Sequence, residues 1–247
     1  MPDVRRFDGV DDTIRCTGTL GQSANGPFTI VALVRLTTLP GADEPFFSIG
    51  NGTTATAATL YNDSGNSGAN LAWGNSASDS IGNAGLVASQ WRFVAGFKET
   101  GADSSVDLGS RQFGTGSWTW TTGTGTINNN TNVCTDAFFG RFNDTATFRD
   151  FDLAVCAIWN SALTRATIEG LEVTATTAGL AAASPIGLWD FNQASVATTV
   201  LDLVGNTHEV SRTGTTVVAD GSLAWTFGLT SAPQQLTRTF APIPFMK

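Results

Sequence analysis

Two pairs of carboxylates are the residues of this chain whose types and spacing could support acid–base chemistry. Asp150 and Asp152 alternate along a predicted strand and share one face, whereas Glu169 and Glu172 lie close together on a predicted helix. Glycoside hydrolysis with retention needs two carboxyl groups about 5–5.5 Å apart. No third carboxylate follows the aspartates at a suitable offset. We therefore expect neither pair to be catalytic and the chain not to be an enzyme.

The histidine and cysteine content also argues against a nucleophile system or a zinc site. His208 is the single histidine, and no Cys-x-x-Cys, P-loop or dinucleotide-binding pattern is present. The three cysteines, Cys16, Cys134 and Cys156, are odd in number and widely spaced. We expect three buried, reduced thiols, and a Cys16–Cys134 bridge remains the alternative.

Exposed aromatic rings beside polar side chains are what a sugar-binding surface requires. The best candidates are Trp118 and Trp120, close in sequence to Asn128, and Tyr61, which precedes a polar loop. Tryptophan also fills sandwich interiors, so core packing or an interface is the alternative for Trp118 and Trp120. Four other tryptophans lie in strand-like patterns and are expected in the core: Trp91, Trp159, Trp189 and Trp225.

Composition argues against two classes of partner. The 247 residues carry 13 Lys and Arg against 21 Asp and Glu, a net charge of −8, and the lysines are Lys98 and Lys247 alone. A phosphate backbone requires a clustered basic surface, so we expect no binding to nucleic acid. No apolar run approaches the ~20 residues of a spanning helix, and no apolar stretch near Met1 resembles a signal peptide, so we expect no membrane insertion.

Glycines and small polar residues indicate short strands joined by turns in one all-β domain. Phe28–Leu36 is apolar on both faces, which predicts a central strand covered on each side. The segment 111–132 has an irregular pattern, and one short helix is expected near 164–172, with Thr164 as its cap and Ile168 and Leu171 facing the core. Shorter alternating segments predict further strands at 45–49, 57–61, 69–73, 90–98, 105–108, 136–142, 148–159 and 186–192.

Two separated motifs carry a family resemblance. The run Phe-Asp-Gly-Val-Asp-Asp at 7–12 and the strand ending in Trp-Asn-Ser-Ala-Leu-Thr at 159–164 resemble the laminin-G-like branch of the concanavalin A-like lectins and glucanases. Weaker matches occur at 28–30, 91–95 and 138–141. The resemblance implies a jelly-roll sandwich of two antiparallel sheets, in which the 7–12 motif opens an edge strand. It also implies binding more often than catalysis.

The order of the matching segments departs from that of the family. Gly-Leu-Trp-Asp-Phe at 187–191 and Asp-Leu-Val-Gly-Asn at 202–206 resemble segments that ordinarily begin the module, but here they come last. Either the domain is circularly permuted, or these strands complete a neighbouring subunit. Chain ends often lie close together at a domain surface, which favours permutation within one chain.

The resemblance also raises the question of calcium, because many relatives hold this ion at the sandwich rim. Calcium takes about six to eight oxygen ligands, so carboxylates must converge from several loops. Asp and Asn are equally common in tight turns, where they bond to local backbone groups, so a purely structural role is the alternative. No other cofactor is implied. The candidate ligands of a calcium ion are Asp11, Asp12, Asp63 and Asp144, beside Asn62 and Asn143.

The final segment, 229–247, differs in character from the sandwich domain expected over 1–228. It contains Pro233, Pro242 and Pro244 and has no strand or helix period. Proline lowers the cost of ordering an extended chain, so we expect an arm that lies in a groove of another subunit. Folding back onto its own sandwich is the alternative. The apolar residues that would make the contact are Phe240, Ile243, Phe245 and Met246.

Two functions are compatible with these expectations. The first is a structural accessory subunit of a bacteriophage virion, such as a capsid decoration or minor tail protein, made in the host cytoplasm and bound to other virion proteins and to itself. The second is a carbohydrate-binding lectin or adhesin that acts outside the cell, with calcium as its cofactor. An assembly subunit should need its arm, whereas a lectin should display a solvent-facing aromatic ring beside polar loop residues. A shared fold does not choose between the two.

Overall fold

The structure of the chain is a computed structural model. The residues that it describes are 3–23, 26–38, 44–50, 56–63, 70–73, 86–99, 106–123, 133–141, 150–174, 176–191, 200, 202–205 and 207–225. The strands among them are β1 (Asp3–Asp8), β2 (Thr13–Ser23), β3 (Phe28–Leu36), β4 (Glu44–Gly50), β5 (Thr56–Asp63), β6 (Asn70–Trp73), β7 (Trp91–Lys98), β8 (Val106–Gln112), β9 (Thr119–Gly123), β10 (Val133–Phe139), β11 (Asp150–Trp159), β12 (Gly187–Asp190), β13 (Thr207–Thr213) and β14 (Thr216–Ala219). The helices are α1 (Arg165–Thr174) and α2 (Thr177–Ala182).

The strands form two antiparallel sheets. The first sheet has the order β14-β1-β11-β3-β7-β8-β9, and β12 pairs with the part of β11 that β1 leaves open. The second sheet has the order β13-β2-β10-β4-β5-β6. This arrangement confirms the predicted all-β jelly-roll sandwich.

The first and last strands of the described chain are neighbours in both sheets. β14 pairs with β1, with Thr216 opposite Arg6, and β13 pairs with β2, with Thr213 opposite Thr13. The late segments thus complete the sandwich of their own chain. This is the arrangement that a circular permutation within one chain requires. The expectation of an edge strand at the 7–12 motif is wrong, because β14 hydrogen-bonds to the outer side of β1 and forms the edge itself.

Apolar side chains form two cores because the first sheet is covered on both faces. One core lies between the sheets and includes Ile30 and Val34 of β3, while the other includes Val31 and Leu33 of the same strand. The second core lies under the two helices, which contribute Leu171 and other residues to it. Coverage on both sides confirms the interpretation of Phe28–Leu36. The four tryptophans expected in the core are buried: Trp91, Trp159, Trp189 and Trp225.

Helix α1 confirms the predicted helix, and its cap is the predicted one. The Thr167 N–H donates to Thr164 Oγ1 over 3.2 Å, and Ile168 is fully buried against the first sheet. Helix α2 is an additional element within a stretch that the sequence shows only as rich in Ala and Thr. Its cap is Thr176, whose Oγ1 accepts the Gly179 N–H over 2.9 Å.

Two further expectations can be compared with the structure. Part of the segment 111–132 is regular, because β8 continues to Gln112 and β9 spans Thr119–Gly123. The three cysteines are buried and free, as expected, and the Cys16–Cys134 bridge does not form. The register explains why: Cys16 lies opposite Ala137 on β10, whereas Cys134 lies opposite Gln22 on β2.

None of the helices in the described part of the chain is long and apolar enough to cross a membrane.

Candidate metal centre and carboxylate network

The turn between β1 and β2 gathers three carboxylates, and we call it the acidic turn. β1 ends at Asp8, Gly9 takes a φ of 78°, and Asp11 and Asp12 follow before β2 begins. The positive φ allows the chain to reverse within a few residues, which brings the acids together. One carboxylate oxygen from each of Asp8, Asp11 and Asp12 lies within 4.8 Å of the others.

Asp12 is the buried member of the acidic turn. Its side chain is 1% exposed, and its Oδ2 accepts the backbone N–H of Asp8. Its Oδ1 has no hydrogen-bond partner among the described residues. Burial, against the opposing effect of the Asp8 N–H and with the help of the neighbouring charges of Asp8 and Asp11, raises the pKa of Asp12 to about 6.

A second turn, between β13 and β14, lies against the acidic turn. A β-carbon placed on Gly214 would lie 2.6 Å from Oδ1 of Asp11 and closer still to Oδ1 of Asp12. Gly214 also has a φ of 69°, a left-handed conformation that glycine adopts without strain. The sandwich pairing therefore brings two distant parts of the sequence to one oxygen-rich corner of the molecule.

The predicted calcium ligands are only partly brought together. Asp11 and Asp12 lie side by side, and Asp8 joins them although sequence reasoning did not select it. Asp63 ends β5 in the second sheet, but its side chain is outside the described part, and Asp144 is outside the described residues altogether. The signal that could have found Asp8 is its position before Gly9 in the 7–12 motif. Carboxylate oxygens are the ligands of hard cations, so these three residues fit a calcium ion by chemistry and charge.

The aromatic candidates Trp118 and Trp120 are half-buried against the outer core of the first sheet. Their rings stack on each other with centroids 4.9 Å apart and an angle of 12°. Trp118 meets Phe93 edge to face, and Trp120 meets Phe97 in the same way. These contacts favour the packing alternative for both tryptophans.

Trp120 also joins β9 to helix α1 and β8. Its indole N–H donates to Glu169 Oε1 over 2.8 Å, and the Arg165 guanidinium lies 5.4 Å from its ring centroid. A β-carbon on Gly109 would lie 2.6 Å from Trp120 Cδ2, so the ring sits directly on the β8 backbone. The structure gives no contacts for the other two sugar-binding candidates. Tyr61 lies on β5, but its side chain is not among the described parts, and Asn128 lies outside the described residues. A ligand-binding role for these residues stays a prediction.

Asp152, one of the carboxylates considered for catalysis, is held by two arginines. It is fully buried, and Arg6 Nε donates to its Oδ1 over 2.8 Å. Arg35 Nε donates to its Oδ2 over 2.9 Å. Nη1 of Arg35 also pairs with Asp220 at 2.5 Å. Bidentate contacts of this kind hold the carboxylate in place, and its burial leaves it no access to a substrate.

The glutamates of helix α1 have structural contacts as well. Glu172 is 3% exposed and pairs with Arg111 of β8, whose Nη1 lies 2.7 Å from its Oε2. Glu169 accepts the Trp120 indole N–H described above. Both side chains therefore attach α1 to the first sheet. The residues of the predicted arm, Phe240, Ile243, Phe245 and Met246, lie outside the described residues.

Comparisons with known proteins bear on the fold. No protein-family model matches the sequence, and no curated protein matches it. Among solved structures, the native heptameric SAP-like pentraxin from Limulus polyphemus is 14% identical, with a TM-score of 0.54 over 90% of this chain and 97% of that chain. A Trypanosoma rangeli sialidase in complex with 2,3-difluorosialic acid is 17% identical, with a TM-score of 0.51 over 70% of this chain.

The two kinds of similarity differ in extent. The match covers 28% of the sialidase chain, so it concerns one part of that protein, whereas it covers nearly the whole pentraxin. Identities this low are informative about architecture only. The chain has the lectin-like jelly-roll sandwich fold that it shares with this pentraxin.

Proposed function

We propose that this chain is a non-catalytic interaction protein, and specifically an accessory subunit of a bacteriophage virion, such as a capsid decoration or minor tail protein. The main observation in support of a non-catalytic role is that Asp152 is buried and bound by Arg6 and Arg35. A general acid or base must reach a substrate proton at hydrogen-bond distance. Asp152 has no exposed surface from which to do so.

The two glutamates of helix α1 and the environment of Asp12 support the same conclusion. Glu169 and Glu172 are occupied by Trp120 and Arg111, so each helps to hold α1 on the sheet. Asp12 has a raised pKa, which is often a mark of a functional group, but it is 1% exposed and faces other carboxylates. That environment suits the binding of a proton or a cation better than proton transfer to a substrate.

The assembly role is supported by sequence features of the whole chain. The net charge is acidic, lysines are nearly absent, and the Pro-containing segment 229–247 carries several large apolar side chains, among them Phe240, Phe245 and Met246. An apolar extended segment binds well in a groove between strands or subunits. The expected partners are other virion proteins and further copies of this chain, and the expected location is the virion.

Light scattering on two forms of the protein tests this proposal. We would compare the full chain with a form that stops after Gly228, and check by circular dichroism that the shorter form is folded. The proposal predicts an oligomer for the full chain and a folded monomer for the shorter one. Two monomers of equal stability would contradict an assembly role for the arm.

A carbohydrate-binding lectin or adhesin is the second candidate function. The acidic turn favours it, because a calcium ion at a sandwich rim can order a binding surface. The contacts of Trp118 and Trp120 count against these rings as its sugar platform, since both are packed on the first sheet. A glycan array with calcium and with a chelator tests this candidate: calcium-dependent binding to a defined glycan supports it, and no binding in either condition contradicts it.

A further inference from the structure

We propose that Asp8, Asp11 and Asp12 form a calcium site that joins the β1–β2 turn to the β13–β14 turn. The site does not rest on the assembly role, because its function is to stabilise the corner where the β1–β2 turn meets the β13–β14 turn. The ion would be bound by residues of the acidic turn rather than by the wider set Asp11, Asp12, Asp63 and Asp144 that the sequence indicates.

The charge of the acidic turn calls for a cation. Three carboxylates within 4.8 Å of one another repel, since like charges at this distance disfavour the ionised forms. In the described part of the chain, the ion pairs do not include any of the three acids. Arg6 of β1 pairs with Asp152, and Arg212 of β13 pairs with Glu209 at 3.7 Å.

The buried oxygen of Asp12 is a second and separate indication of a ligand. Its Oδ1 is removed from solvent, has no hydrogen-bond partner among the described residues and points to Gly214. Buried polar atoms are almost always satisfied, so an unpaired carboxylate oxygen indicates a missing partner. A metal ion supplies such a partner to an oxygen that can only accept.

Two threonines that are adjacent in sequence to Asp12 and Gly214 also have unpaired oxygens. The hydroxyl oxygens of Thr13 and Thr215 are also buried without a partner in the described part of the chain. Thr13 follows Asp12 directly, and Thr215 follows Gly214. Calcium takes about six to eight oxygens, so three carboxylates would leave room for water and for neutral oxygens of these turns. Magnesium demands a stricter octahedral arrangement, which makes calcium the better match to a set of adjacent turn residues.

The position of the site explains what the ion would do. Among the described strands, β14 is an edge strand of four residues that pairs with β1, and β13 pairs with β2. A strand this short has few hydrogen bonds with which to hold the edge of the sheet. An ion shared by both turns would neutralise the acids and fix β13 and β14 against β1 and β2.

Isothermal titration calorimetry on the full chain, treated with a chelator and then titrated with calcium chloride, tests the proposal. Thermal unfolding with and without calcium is the second readout. The variants are Asp12→Asn, which removes the buried charge, and Asp11→Asn, which removes an exposed one and so should leave the fold intact. Glu99→Gln is the matched control, because Glu99 is exposed and follows the end of β7 farthest from the acidic turn.

We expect one saturable calcium site in the wild type and in Glu99→Gln, with a rise in the unfolding temperature on binding. Binding should be at least tenfold weaker in Asp11→Asn and in Asp12→Asn, and magnesium should bind more weakly than calcium. A wild-type protein without saturable calcium binding would overturn the proposal. Equal calcium affinity in the wild type and the Asp11→Asn variant would overturn it too, even if Asp12→Asn failed to fold.

Discussion

Oδ1 of Asp12 lies against the backbone of Gly214, although the two residues belong to turns near opposite ends of the described chain. The contact exists because β14 pairs with β1 and β13 pairs with β2, so the turn that joins β13 to β14 meets the turn that joins β1 to β2 at one corner. The β1–β2 turn supplies the three carboxylates, and the β13–β14 turn lies against Oδ1 of Asp11 and Asp12. The relationship therefore links the sandwich topology directly to the candidate cation site.

Replacing Gly214 by alanine should be more harmful than replacing another glycine with the same backbone conformation. Gly116 has a φ of 77° and open space around it, so Gly116→Ala measures the backbone strain alone, about 1 kcal/mol. Gly214→Ala adds a clash with Asp11 and Asp12 and should cost about 2–4 kcal/mol. Urea denaturation measures both losses. Equal losses in the two variants would mean that the contact with the acidic turn contributes nothing.

The stability of the calcium-free protein should depend on pH through Asp12. Its pKa is about 6 in the folded protein and about 3.9 in an unfolded chain, so the folded state binds the proton more tightly. Linkage then makes this group destabilising above pH 6, and the penalty disappears as the pH falls from about 6 to about 4. The unfolding temperature of the wild type should therefore rise relative to Asp12→Asn on going from pH 7.5 to pH 4.5.

The comparison with Asp12→Asn isolates this effect. His208, the single histidine, is present in both proteins, so any contribution it makes cancels in the difference. Calcium should reduce the pH dependence of the wild type, because the ion and the proton compete for the same carboxylate. Parallel pH profiles for the two calcium-free proteins would rule out Asp12 as the source of the dependence.

Asp152→Asn should destabilise the fold far more than removal of a surface ion pair. The variant leaves Arg6 and Arg35 facing each other without the carboxylate that both now contact, and loss of one partner of a buried pair costs about 3 kcal/mol. Asp107→Asn is the control, because the Arg165 side chain that pairs with Asp107 is 42% exposed, and such pairs contribute about 1 kcal/mol or less. Chemical denaturation of both variants should give this order, and similar losses would contradict a central role for Asp152.

Two glycines near helix α1 should respond to alanine in opposite directions. Gly109→Ala should push Trp120 off the β8 backbone and cost about 1–3 kcal/mol, with a change in tryptophan fluorescence. Gly170 lies within α1 with no atom close to a new β-carbon, so Gly170→Ala should stabilise the protein by about 0.5–1 kcal/mol. A neutral Gly109→Ala would show that Trp120 is free to move, which would favour its role in ligand binding.

The sequence predicts most of the fold where the local pattern is strong. β3 is apolar on both faces and β11 is nearly so, and both strands lie in the middle of the first sheet. Helix α1 has its cap and its apolar stripe in the sequence itself. The second helix is different, because α2 has six residues, mostly Ala and small polar ones, and only Leu180 and Thr177 are buried. The short strand β14 is hard to predict for a similar reason, since it lies at an edge and its residues are at most half-buried.

The candidate site depends more on tertiary structure than the strands do. The sequence identifies Asp11 and Asp12 as acids in a turn, but Gly214 joins them only through the pairing of strands far apart in the chain. In the same way, the sequence identifies Trp118 and Trp120 as neighbouring aromatic residues, yet it does not reveal the contacts of Trp120 with Gly109, Arg165 and Glu169. Contacts of this kind follow from topology, so no local pattern contains them.

Hydrogen exchange measured by mass spectrometry tests most directly the claim that a cation joins the β1–β2 turn to the β13–β14 turn. Peptides that cover β14 (Thr216–Ala219) and β1 (Asp3–Asp8) would be followed with and without calcium in the wild type and in Asp12→Asn. The account predicts that calcium slows exchange in both strands of the wild type and in neither strand of the variant. Exchange in β14 that is unchanged by calcium, in a protein that binds the ion, would contradict it.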